Sequence, residues 1–143
     1  MKTNWYYKST KAITDVTQLP NSEELEGFVY KITNIITGKF YIGKKSLWSV
    51  RKKKISARTK KSTGTRKTFE KVTKESDWKT YYGSSKDLKD DVNRLGQTAF
   101  KREILELCKS KKYLSYAEFA WQVKLDVLRV NSYNGNILGR WFN

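Results

Sequence analysis

Short runs rich in β-branched and aromatic residues alternate along the chain with polar stretches that have no apolar period. Phe28 to Asn34, FVYKITN, and Lys39 to Gly43, KFYIG, have strand composition, and Thr37-Gly38 between them has turn chemistry, so the pair predicts a β-hairpin. Alternation sets Tyr30 with Ile32 on one face and Val29 with Lys31 on the other, and Tyr41 ends the second strand before Gly43. Leu88, Val92 and Leu95 recur at helical spacing over Lys86 to Leu95, with Gly96 as a C-cap. Tyr116, Ala120, Val123 and Val127 form one stripe and predict a helix over 115–128, with Ser115 and Glu118 at capping-box spacing. FKREILEL at 100–107 is strand or helix on periodicity alone.

Residues 1–26 are polar and irregular, with the only proline, Pro20, marking a turn, and are expected to be an N-terminal extension of a domain running 27–143. The C-terminal RVNSYNGNILGRWFN is expected to turn back onto the core. A chain of 143 residues suits one core, and 38% apolar content is enough to build it.

Charge changes the picture most. Lysine and arginine number 30 against 14 acids, a net +16, which favours a polyanionic partner, nucleic acid first and a membrane surface second. Eleven of the cations and one acid, Glu70, fall within 51–74, whose centre SARTKKSTGTRK has no apolar period. This segment is expected to be a mobile basic loop that orders on a polyanion, with a solvated solubility loop as the plainer alternative. Candidate DNA contacts are Lys45, Lys52, Lys53, Lys54, Arg58, Lys60, Lys61, Arg66 and Lys67.

The absence of histidine excludes histidine-based triads and metal ligands, and the lone Cys108 excludes an internal disulfide or CxxC zinc site. No run approaches the about 18 apolar residues of a membrane span, and MKTNWYYKSTK lacks a signal-peptide core, so a soluble cytoplasmic protein is expected.

GFVYKITNIITGKFYIGKK resembles the two-part signature of the GIY-YIG nuclease superfamily, with Tyr30 matching the first motif and Tyr41-Ile42-Gly43 the second. Phe28-Val29-Tyr30 stands where the family has Gly-Ile-Tyr. Arg51, Tyr82-Gly83-Ser84-Ser85, Gly96, Phe100, Glu118 and Tyr133-Asn134 follow in family order, and the stretch from Tyr82 resembles small phage-encoded homing-type members. The resemblance implies an α+β fold, a three-stranded antiparallel sheet flanked by helices with FKREILEL as third strand, carrying the basic loop insertion and the N-terminal extension.

It also implies a site. Glu118 would bind Mg²⁺, with Mn²⁺ able to substitute, where the spacing alone allows equally a helix cap. Tyr30 would be the general base and Tyr41 would orient water or phosphate, although ordinary strand packing is the plainer role for both. An unperturbed tyrosine titrates near about 10, so neighbouring charge from Lys44, Lys45 or Arg51 would be needed to favour the phenolate. Arg51 would clamp a phosphate oxygen. Lys44 would stand where many relatives have histidine, unless it and Lys45 are only a solvated face. Asn134 would brace the site, with Asn136 competing for that role and turn chemistry serving either. Ser84 and Ser85 could donate to phosphates, and Trp78 and Tyr82 could pack on sugar, with core packing the simpler role for Trp78.

The expected function is a Mg²⁺-dependent endonuclease acting on duplex DNA, as a monomer or DNA-induced dimer, in the host cytoplasm if phage-encoded. A non-catalytic nucleic-acid-binding protein that retains the fold is the alternative. An unrelated RNA-binding module would leave the ordered series Tyr30, Tyr41, Arg51, Glu118 and Asn134 unexplained.

Overall fold

The computed structural model describes residues 3–8 and 10–137 and the backbone of 140–141. In chain order its elements are β1 (Trp5–Tyr7), β2 (Lys11–Ile13), β3 (Gly27–Asn34), β4 (Phe40–Ser46), β5 (Trp48–Lys54), α1 (Ala57–Thr63), β6 (Phe69–Glu75), α2 (Lys86–Leu95), β7 (Phe100–Cys108), α3 (Lys111–Lys124), β8 (Asn136–Ile137) and β9 (Arg140–Trp141). Part of the expected C-terminal turn, residues 138–139 and 142–143, lies outside the described residues, as do residues 1, 2 and 9 of the expected extension.

The hairpin forms where composition places it. β3 and β4 pair antiparallel, and the Asn34 side chain accepts from the Ile36 and Thr37 amides to hold the turn. α2 spans the expected residues, with Ser85 accepting from the Leu88 amide at its start and Gly96 closing it. The ambiguous 100–107 segment is strand β7, antiparallel to β3. A register shift at Val29/Tyr30 turns Glu106 toward α3, where it accepts from Tyr113 Oη and Trp121 Nε1.

The sheet has five strands, in the order β2-β1-β7-β3-β4, where three were expected. Both additional strands come from the stretch expected to be an irregular extension, and β1 lies parallel to β7. Three-residue strands are too short to display a two-residue period, which hid them. Trp5, Ile13, Val16, Leu19 and Leu25 from that stretch are buried in the main core with Phe28, Tyr30, Ile32, Leu88 and Val92. Val29, Ile42, Leu114 and Ala117 form the smaller core under α3, which also buries the Cys108 thiol and pushes its pKa to about 11.

Arg102 on β7 fastens the N-terminal segment. Its guanidinium is buried, donates to the Lys79, Tyr81 and Thr3 carbonyls, and stacks on the rings of Trp5 and Tyr82.

Two further expectations are corrected. α3 begins at Lys111 with Ser110 as N-cap, so Ser115 lies inside the helix and no capping box involves Glu118. Its buried positions are Leu114, Ala117 and Gln122, while Tyr116 and Val123 are exposed. Apolar residues occur all round this helix, so spacing alone selected the wrong stripe. The 51–74 stretch is an ordered arm in which β5 and β6 pair antiparallel and α1 caps the tip over buried Ile55. Lysines on both faces of a solvated ribbon leave no alternation to read. No helix among the described residues is long and apolar enough to cross a membrane.

Replacing Arg102 by alanine leaves three carbonyls unpaired and a void between two rings. Equilibrium urea unfolding of Arg102→Ala is expected to show a loss of at least about 3 kcal/mol.

Candidate active site

β4 is the edge strand of the sheet, and its outward backbone groups meet side chains from α3 and from the turn after it. Phe40 O accepts from the Tyr133 amide at 2.7 Å. The Asn134 amide clasps Ile42, accepting from its N–H at 2.9 Å and donating to its carbonyl at 2.8 Å. Gln122 Nε2 also donates to the Ile42 carbonyl, at 3.2 Å. Lys44 stands beside Glu118, its charge and backbone favouring the carboxylate, and Lys44 Nζ donates to Ser115 Oγ at 2.7 Å, one turn of α3 away. An edge with no further strand is thereby satisfied by polar side chains, and these surround a cleft of about 620 Å³.

On the other face of β4, Tyr30 lies opposite Gly43. A Cβ at Gly43 would stand 2.4 Å from Tyr30 Oη and 2.9 Å from Tyr41 Cε2, so only glycine allows the two tyrosines to cross the strand there. Tyr41 reaches the cleft and shares a 2.9 Å hydrogen bond with Ser84 Oγ. Ser84 is brought in by Gly83, which adopts φ +89° beneath Leu88.

Burial raises the Glu118 pKa above the ordinary carboxylate range, countered by the Lys44 ammonium and backbone. Tyr41 is raised by burial and by the charge of Glu118, with Ser84 opposing. Tyr30 is raised well above its usual value by burial and by its neighbours Tyr81 and Tyr41. Both are therefore phenols at neutral pH. The phenolate expected for Tyr30 is not favoured, because its surroundings are apolar, phenolic or acidic and not cationic.

Among the expected site residues, Tyr41, Ser84, Ser85, Glu118 and Asn134 line one cleft, with Lys44 held beside Glu118 and Tyr30 buried behind Tyr41. Asn134 makes the bracing bonds, while Asn136 lines the same cleft from β8. Arg51 is not brought there. It lies exposed on β5 opposite Val72, because the chain leaves the sheet at Leu47 to build the arm. Lys45 is engaged, donating to Asp77 Oδ1 at 2.5 Å and standing over the Tyr81 ring. Lys52, Lys53, Lys54, Arg58, Lys60, Lys61, Arg66 and Lys67 all sit on or at the tip of the arm. Trp78 is fully buried, as core packing requires, and Tyr82 covers Arg102.

Sequence reasoning missed Lys86, Asp87 and Gln122, which also line the cleft. A glutamine on the buried face of α3 was the available signal, but it required that face to be known. Glu118 is the one half-buried carboxylate directed at this cleft from α3, and the described residues contain no group of three or more acidic, cysteine or histidine side chains able to hold a metal.

Residues 5–143 match the protein family described as "Putative endonuclease segE, GIY-YIG domain". No curated protein and no solved structure gives a significant match.

Gly43→Ala is expected to cost about 1–3 kcal/mol in thermal or urea unfolding through overpacking against Tyr30 and Tyr41. Tyr30→Phe in the same chain should recover part of that loss by removing the hydroxyl, a positive coupling in a double-mutant cycle. Glu118 gives a second test. Its raised pKa means that the folded state holds the proton more tightly than the unfolded chain, so the contribution is full at low pH and is lost as pH rises through the folded value. Glu118→Gln should therefore melt above wild type at pH 7, with the difference vanishing below about pH 4.

Proposed function

The chain belongs to the GIY-YIG nuclease superfamily through its segE-type domain, and from that premise we propose that it is a metal-dependent endonuclease that hydrolyses phosphodiester bonds of duplex DNA at the β4 edge. The observation that carries this reading is the convergence of Tyr41, Ser84, Glu118 and Asn134, from four separate stretches of chain, on one polar cleft.

Glu118 is the residue that would hold Mg²⁺, or Mn²⁺ in its place. The fit is chemical: a hard oxygen donor faces an open polar cleft, and Mg²⁺ is commonly held by one or two carboxylates while keeping several waters. When bound, the ion supplies positive charge to the phosphoryl oxygens and acidifies water. Lys44, steadied by Ser115, offers its ammonium to the same phosphate, in the role the resemblance gave to Arg51. Lys86 adds charge at the cleft wall. Asn134 ties the edge strand, and with it Tyr41, to the turn after α3, and Gln122 ties it to α3 itself.

In this reading Tyr41 takes the proton of the attacking water, and Ser84 fixes the direction of its hydroxyl. Tyr30 keeps its own proton and buttresses the Tyr41 ring at a centroid distance of 6.1 Å. The phenolate fraction of Tyr41 at neutral pH is small and grows tenfold per pH unit below its pKa.

The test follows supercoiled plasmid with Mg²⁺ or EDTA, recording DNA binding in parallel. Wild type is expected to cut only with the metal, and its log rate to rise with a slope of about one between about pH 7 and 9. Glu118→Gln and Tyr41→Phe should bind DNA yet cut about 10²-fold or more slowly, Tyr41→Phe losing that pH slope, while Tyr30→Phe loses less. Binding without cutting of duplex, branched or single-stranded DNA by wild type would assign the chain to the non-catalytic nucleic-acid-binding alternative.

A further inference from the structure

The arm carries a pattern that the cleft does not use. Its register places Val50 with Thr73, Lys52 with Lys71 and Lys54 with Phe69 on one face, and Arg51 with Val72 and Lys53 with Glu70 on the other. From the Val50–Thr73 pair outward the first of these faces has no acid, its Glu75 lying nearer the root opposite Trp48, and Lys52 directly opposes Lys71, an arrangement that destabilises a ribbon unless an anion lies over it. Among the described residues no arm cation between 51 and 74 forms an ion pair.

The same face leaves Phe69 and Val50 each 52% exposed, beside lysines and not in a core. The strands pack on each other, and a two-stranded ribbon alone is marginal in water. At the root of this face, Glu23, Glu24 and Glu26 line a groove with Thr73, only Glu24 being paired, by Lys109, and the net negative charge would repel phosphate and confine an anionic partner to the outer half. Seven residues of strand extend about 23 Å, long enough to lay that half into a neighbouring groove while DNA occupies the cleft.

We infer that the outer face of the arm, Lys52, Lys54, Phe69 and Lys71, reads duplex DNA in the major groove, apart from the site of hydrolysis; the choice of DNA rests on the nuclease reading above. A two-stranded ribbon fits a groove about 12 Å wide, where lysine can meet guanine O6 and N7 and an aromatic ring the thymine methyl. The deep, narrow major groove of A-form RNA does not admit it. Lys71, well outside the motif residues, becomes a specificity-determining residue.

The test measures duplex binding in EDTA, where no cleavage is needed, as a function of salt. Lys52→Gln/Lys71→Gln should lower the slope of log K against log salt by about 1.8, while Lys8→Gln/Lys11→Gln, at the opposite end of the sheet, leaves it unchanged. Guanine N7 methylation of the duplex should weaken wild type and leave the Lys52/Lys71 variant unaffected. Duplex RNA of the same sequence should bind both proteins alike. Equal slopes for the two double variants, insensitivity of wild type to N7 methylation, or the same loss on RNA would each overturn the inference. A melting temperature of the Lys52→Gln/Lys71→Gln variant equal to or above that of wild type excludes unfolding as the cause. Plasmid cleavage at saturating protein separates the two readings: a chain that cuts but keeps its salt slope loses only the arm, and one that never cuts but shows the arm effects loses only the nuclease.

Discussion

The cleft follows from the need to satisfy the open edge of β4. A strand at a sheet edge exposes alternate N–H and C=O groups, and here Phe40, Ile42 and Lys44 present them outward. Covering them with another strand would have filled the space in which a substrate could lie. Instead the chain covers them with the Asn134 and Gln122 amides and the backbone of the turn at Tyr133, with the Glu118 carboxylate set beside Lys44. Asn134 and Glu118 are thus part of the edge and of the cleft at once.

This arrangement explains the electrostatics. A carboxylate that must approach the edge strand is desolvated, and its charge in turn disfavours ionisation of the tyrosines behind it. Lys44 relieves part of that cost from the solvent side. The packed aromatic cluster of Trp5, Phe28 and Tyr30 keeps the tyrosine positions rigid. Arg102 extends the same rigidity to the N-terminal segment, tying the residue before β1 and the 79–81 segment to β7 through backbone carbonyls.

The arm is organised on opposite terms. Arg102 is buried in the body and Lys45 is paired there, whereas the outer half of the arm sets Lys52 opposite Lys71 and Lys54 opposite Phe69 with no acid between them on that face.

Local chemistry along the chain determined the β3–β4 hairpin and α2 with its caps, because strand composition and turn residues are properties of short segments, while Tyr41, Glu118 and Asn134 stood out only through the family resemblance of their motifs. The same reading missed β1 and β2, chose the wrong stripe on α3, and took an ordered ribbon for a loop. Short strands and two-faced polar elements leave no period to detect, and a helix with apolar residues all round does not declare its buried side. Only the tertiary structure decided that Arg51 stands away from the cleft, that Tyr30 is a buried phenol, and that Asn134 is the bracing asparagine. Those outcomes depend on contacts between residues up to 92 positions apart, which desolvate some groups and orient others.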